Sequence, residues 1–76
     1  MNKDRRAALE EVRVTLEEMK ATLGGLRDEE QEYIDNMPEG LAGGEKSTNA
    51  ENAVSSMDTA IENLDEAASS IGDAAA

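Results

Sequence analysis

Apolar residues recur at alternating steps of three and four along two separate stretches of this chain. In the first stretch they occupy heptad positions a and d: Leu9, Leu16 and Leu23 at a, and Val12, Met19, Leu26 and Tyr33 at d. A strand would require alternation at every second residue, and neither stretch shows it. The spacing predicts an amphipathic helix over residues 3–36 whose apolar stripe packs against another helix.

The second stretch repeats the same spacing nearer the carboxyl end. Its members again fall at a and d: Val54, Met57, Ile61, Leu64, Ala68, Ile71 and Ala75. Thr48 and Glu51 have the spacing of a capping box, with Ser47 or Asn49 as alternative caps. We therefore expect a helix over about 48–72, a loop over 37–47, and a frayed tail after residue 72.

The segment between the two stretches contains the only proline of the chain and three of its six glycines. Pro38 disfavours helical geometry at Met37, so the first helix should end there. Two seams that each need a partner, joined by such a loop, indicate an antiparallel helical hairpin. The predicted fold class is all-α, with residues 1–76 forming one coiled-coil-like domain.

Charge placement supports the antiparallel arrangement, in which e positions face e positions across the seam. The e positions of the first helix are all basic: Arg6, Arg13, Lys20 and Arg27. Those of the second helix include Asp58 and Asp65. Pairs of Arg27 with Asp58 and of Lys20 with Asp65 share one register, so these charges specify orientation.

The opposite flank, at the g positions, carries small residues in both helices. They are Ala8, Thr15 and Thr22 in the first helix, and Ala53, Ala60, Ala67 and Ala74 in the second. Small residues beside a seam widen the apolar stripe and let another helix approach. We expect this edge to receive a second hairpin and form a dimeric four-helix bundle. The simpler alternative is that alanine serves helix propensity alone.

Gly24 and Gly25 conflict with a continuous first helix, since each costs about 1 kcal/mol relative to alanine. The heptad runs through them, so one helix, bent there, is expected. Alternatively, a helix ends at Leu23 and another starts near Leu26, or the glycines admit a partner backbone.

Composition excludes most chemistry. The chain has no histidine and no cysteine, so a base titrating near neutral pH and a thiolate are both missing, and we expect neither an enzyme nor a cofactor. The nearest approach to a calcium loop starts at Asp35 but has Lys46 at the twelfth position, so no metal site is expected. A formal charge of −11 opposes nucleic acid and suits a basic protein partner. With no membrane-length apolar run, a cytoplasmic location is expected.

Two groups of residues are candidate binding sites. The first is the hairpin tip with its acidic approach, where loops carried by rigid elements often bind partners: Glu29, Glu30, Glu32, Tyr33, Asp35, Asn36, Met37, Pro38, Glu39 and Leu41. Alternatively, Met37 and Leu41 fold back over Tyr33 and Ile34 to cover the end of the bundle, and the carboxylates form a solvated face.

The second candidate is the basic stripe, which lines a pocket for an anionic ligand between hairpins: Arg6, Arg13, Lys20 and Arg27. Pairing with Asp58 and Asp65 explains the same residues without a ligand.

The stretch RDEEQEYIDNMPEGLAGGEK, followed by an alanine-rich helix, resembles a group of short proteins encoded by bacteriophages and prophages. The specific part of the resemblance runs from Arg27 to Leu41. It implies a phage origin, the cytoplasm of a host bacterium, and the tip as the place of a shared function. The resulting hypothesis is a non-enzymatic inhibitor of a host defence complex. The alternatives are a sponge for a small anionic nucleotide and a structural or assembly factor.

Overall fold

The computed structural model describes all 76 residues and contains two helices, α1 over Lys3–Asp35 and α2 over Glu45–Ala75. They run antiparallel and form a hairpin of 60 × 14 × 12 Å. The predicted all-α hairpin is therefore confirmed. Although both helices are long enough, neither contains a segment apolar enough to cross a membrane.

Helix α1 is continuous from its first turn to the tip. The Asn2 side chain caps it by accepting a 2.8 Å hydrogen bond from the backbone N–H of Arg5. Gly24 and Gly25 lie inside the helix, so the alternative of two shorter helices is wrong. A Cβ built on either glycine would meet no atom within 4 Å, so neither position is crowded within the hairpin.

Helix α2 begins three residues before the predicted capping box. Its N-cap is Gly44, without a side-chain cap, and Thr48 N–H already donates to the Gly44 carbonyl at 3.0 Å. Gly43, at φ 86°, turns the chain sharply enough for the helix to start at once, and Glu45 lies favourably in its first turn. The tail expected to fray continues in helix to Ala75.

The register between the helices is the predicted one. Arg27 Nε lies 2.9 Å from Asp58 Oδ1, and Lys20 Nζ lies 2.8 Å from Asp65 Oδ1. A Cβ built on Gly72 would lie 3.9 Å from Arg13 Cδ. In each case the two facing residue numbers add up to 85, so the register is constant along the seam.

The core is small and lies almost entirely on α2. Four residues are buried, all in α2: Ser47, Ala50, Val54 and Ala68. No residue of α1 is buried, and no large side chain of the protein is fully enclosed. The hairpin alone therefore shields little apolar surface from water.

The predicted seam is right for α2 but only half right for α1. The a residues Leu9, Leu16 and Leu23 are half-buried against α2. The d residues of α1 face outward instead, and their places in the contact are taken by half-buried e residues such as Lys20 and Arg27. The long basic side chains cover the seam with their stems while their charged ends reach the α2 aspartates.

Candidate functional site

The loop at the hairpin tip is ordered by backbone hydrogen bonds. Met37 N–H donates to the Ile34 carbonyl at 3.1 Å, and Leu41 N–H donates to the Pro38 carbonyl at 2.9 Å. Gly44 N–H then donates to the Leu41 carbonyl at 3.1 Å, which closes the turn into α2. These bonds hold the loop as a compact turn at one end of the hairpin.

A cavity of about 450 Å³ opens at this tip, and we call it the tip cavity. Its lining joins apolar and charged side chains: Glu29, Glu32, Tyr33, Asn36, Met37, Pro38, Leu41 and Lys46. Tyr33 is 48% exposed and Leu41 is 56% exposed. Leu41 therefore covers the hairpin end incompletely, whereas Met37, the other residue of the fold-back interpretation, is half-buried.

The structure brings together most, but not all, of the predicted tip residues. Glu30 is half-buried and lines a neighbouring cavity together with Tyr33 and Lys46. Asp35 lies outside the tip cavity and accepts a 3.0 Å hydrogen bond from the Gln31 side chain, while Glu39 is exposed on the loop. Neither Asp35 nor Glu39 lines the cavity.

The carboxylates around the tip are largely unpaired. Glu29, Glu30, Glu32 and Glu39 form no ion pair. Residues 28 to 46 hold seven carboxylates and a single cation, Lys46. The tip therefore combines exposed apolar side chains with a strongly negative rim.

Lys46 is the tip residue that sequence reasoning missed. It lines both cavities beside Tyr33 because α2 already begins at Glu45. The available signal was its position seven residues before Ala53, which places it on the g flank. A helix that starts at the capping box would leave Lys46 in the loop, where it has no heptad position.

Most of the basic stripe is already paired. Arg27 and Lys20 reach Asp58 and Asp65 on α2, and Arg13 forms an ion pair with Glu10 on its own helix. Arg6 is the one member without a carboxylate, and its guanidinium donates to the Met1 carbonyl at 3.3 Å.

These pairs shift the titration of their members. The hydrogen bond to Asp58 raises the pKa of Arg27 above its ordinary value. The hydrogen bonds to Asp65, and next to Glu17, raise the pKa of Lys20. The Arg13 guanidinium lowers the pKa of Glu10 through its hydrogen bond. Each shift favours the charged form of the residue that is paired.

A second exposed feature runs along α1, and we call Val12, Met19 and Leu26 the α1 ridge. These d residues are 46%, 51% and 52% exposed. One concavity, of about 460 Å³, lies between two of them and is lined in part by Met19, Leu23, Leu26 and Leu64. The ridge is the longest row of exposed large apolar side chains on the molecule.

No group of three or more carboxylates lies close enough together to hold a metal ion. Comparison of the chain with known protein families, curated proteins and solved structures gave no match.

Proposed function

We propose that this protein is a non-enzymatic binding protein that docks its hairpin tip on a basic protein partner. The observation that carries the proposal is the tip cavity, where the exposed Tyr33 and Leu41 stand beside the unpaired carboxylates Glu29 and Glu32. Tyrosine is one of the residues enriched at binding hot spots, and the apolar centre of an interface is usually surrounded by a polar rim.

The chemistry of the cavity fits an arginine or lysine side chain of the partner. Its aliphatic stem would lie against Met37 and Leu41, and its cationic end would meet Glu29 and Glu32. The face of Tyr33 would add a cation–π contact. Negative charge around the rim would also speed association with a basic surface.

The resemblance to phage-encoded chains gives this proposal its biological setting. The acidic charge of the protein suits a basic groove, such as one that normally holds nucleic acid. We therefore propose inhibition of a host defence complex in the bacterial cytoplasm as the role of the tip.

The alternative of a nucleotide sponge has weaker support. Of its four proposed ligands, Arg13, Lys20 and Arg27 already contact carboxylates, so an anion would have to displace them. Only Arg6 lacks such a partner. No structural feature of the hairpin specifically favours the alternative of an assembly factor.

Self-association of the hairpin as a dimer is also part of the proposal. Its support is the small core together with the exposed α1 ridge, because a second copy would cover apolar side chains that α2 leaves open.

The tip is tested by reversing its charge and comparing the result with a control variant of the same net charge. The triple variant Glu29→Lys, Glu30→Lys, Glu32→Lys is compared with Glu62→Lys, Glu66→Lys, Asp73→Lys on exposed positions of α2. Both changes add the same charge. Capture from host lysate should recover a basic protein with the wild type and the α2 variant, but not with the tip variant.

Lys46→Gln sharpens the test with the recovered partner. Removing the only cation of the tip cavity should tighten binding of a basic partner and weaken binding of an anion. Equal loss of capture in both triple variants, recovery of virion proteins, or weaker binding by Lys46→Gln would each contradict the proposal.

A further inference from the structure

The α1 ridge is apolar surface that the hairpin leaves without a partner. Its three side chains are about half exposed, whereas the protein buries only three apolar residues, all of them on α2. Because the core is so small, the fold would gain stability if another protein surface covered the ridge at all times. A second copy of the chain is the one partner that is always present with it.

Helix α2 offers a matching row of small residues on the same side of the hairpin. In an antiparallel pair g faces g, so the α2 alanines at g flank the same edge as the ridge: Ala53, Ala60, Ala67 and Ala74. Small residues in a row form holes that accept the larger knobs of a facing helix.

We propose that two hairpins associate face to face about a two-fold axis parallel to their length, so that the ridge of each copy lies on the alanine row of the other. This inference rests on the self-association proposed above and adds its surface and its orientation. The two tips then lie at the same end of a four-helix bundle.

The register within the hairpin supports this arrangement. A two-fold axis along the bundle leaves the position of every residue along that axis unchanged. Each α1 residue therefore lies level with the residue of the second copy's α2 whose number brings the sum of the two to 85. Met19 is thus level with residue 66, one position from Ala67, and Leu26 is level with residue 59, one position from Ala60. Val12 and Ala74 stand in the same relation, so every large residue meets a small one.

Charge selects this arrangement over the other two-fold choice. Beside the ridge, α1 carries a row of glutamates at position c, Glu11, Glu18 and Glu32. If α1 packed on α1 of the second copy, these rows would face each other and repel. With α1 on α2, they face uncharged residues at the same heptad position: Ser56, Asn63 and Ser70.

The hairpin face has room for an interface of standard size. A face 60 Å long and 14 Å wide offers about 840 Å² of planar area per copy, close to the roughly 800 Å² that each partner contributes to a standard interface. The arrangement also places two acidic tips together, and their repulsion opposes the dimer. We therefore expect tighter association as the salt concentration rises.

Orientation is tested with one spin label per chain. The protein has no cysteine, and a Cβ built on Gly40 in the tip loop would meet nothing within 4 Å, so Gly40→Cys takes a label without crowding. Helix axes in a bundle lie about 10 Å apart, so tips at one end give label distances of about 20–30 Å by pulsed electron spin resonance. Tips at opposite ends would give about 60 Å, the hairpin length, and would overturn the arrangement.

The surface is tested with two valines of α1 that match in exposure. Val12, on the ridge, is 46% exposed, and Val14, at position f on another face, is 42% exposed. Val12→Glu should raise the dimer dissociation constant at least about 100-fold, because the symmetric interface receives the charge twice. Val14→Glu should change it less than about threefold.

Light scattering measures the molar mass, and so the oligomeric state, of both variants. Circular dichroism confirms that they remain helical. A wild type that stays at the monomer mass of 8.1 kDa at all concentrations overturns self-association itself. A dimer that Val12→Glu and Val14→Glu weaken equally overturns the ridge as its surface. Neither result bears on the tip, whose partner binding is measured separately.

Discussion

The two helices of the hairpin have the same heptad spacing but use it differently. Helix α2 turns both its a and its d residues towards α1 and holds every buried residue of the protein. Helix α1 turns its a leucines towards α2 and leaves its d residues outside. A heptad pattern therefore predicts an apolar stripe, but the rotation of the two helices decides which half of that stripe packs inside the hairpin.

The basic flank of α1 lies where the difference arises. Position e of α1 carries Arg13, Lys20 and Arg27, and two of these reach aspartates on α2. Helix α1 is rotated so that e, not d, lies beside the a row. The edge with the ion pairs and the exposed apolar ridge therefore accompany each other on the two sides of α1.

The largest expected effect contrasts a buried valine with an exposed one. Val54→Glu places a carboxylate at a position that is 7% exposed, so we expect a loss of more than about 3 kcal/mol of unfolding free energy and loss of helical circular dichroism. Val14→Glu on α1 should change stability by less than about 0.5 kcal/mol. If the two variants melt alike, the assignment of the core to α2 is wrong.

Glycines give the next largest effect, with opposite signs in α1 and at the tip. Gly25→Ala should stabilise α1 by about 1 kcal/mol, since the site is open and helical. Gly43→Ala should destabilise by more than about 1 kcal/mol, because alanine is strained at φ 86°. Urea unfolding measures both, and destabilisation by Gly25→Ala would mean that another backbone approaches α1 there.

The charged edge should contribute less than the apolar contacts. Arg27→Gln and Asp58→Asn should each lower the melting temperature slightly, and the double variant should lower it by less than the two effects added together. The difference should shrink in 0.5 M salt. Arg5→Gln, which removes an exposed arginine outside any ion pair, is the control. Full additivity of the two substitutions would show that the pair is not formed.

The smallest expected effect is a pH dependence at Lys20. Its pKa is raised above the ordinary 10.5, chiefly by the hydrogen bond to Asp65. The charged amine therefore stabilises the fold fully below that ordinary value, and this contribution is lost as pH rises through the higher folded pKa. The stability difference between wild type and Lys20→Met should accordingly shrink above pH 10.5, and a constant difference would contradict it.

Much of this architecture is readable from the sequence because it depends on local periodicity and on charge. The α2 seam, the continuity of α1 through Gly24 and the pairing of Arg27 with Asp58 all follow from spacing. The start of α2 was wrong by three residues because a capping box was available but a glycine at positive φ had already turned the chain. The exposure of the α1 d residues depends on the rotation of one helix against the other, which no repeat specifies.

The candidate tip was predicted for the most part, since Pro38 and the acidic run mark it. The sequence did not indicate the shape of the cavity or the position of Lys46, because both depend on the residue at which the loop ends and α2 begins.

The central claim is that one face of α1 packs against α2 and another face packs against a second copy of the chain. Thermal unfolding measured over a range of protein concentrations tests it. From about 1 to 500 μM, the melting temperature of the wild type should rise steadily by mass action, while that of Val12→Glu should begin to rise only at concentrations at least about 100-fold higher. A wild-type melting temperature that does not change with concentration would contradict the claim.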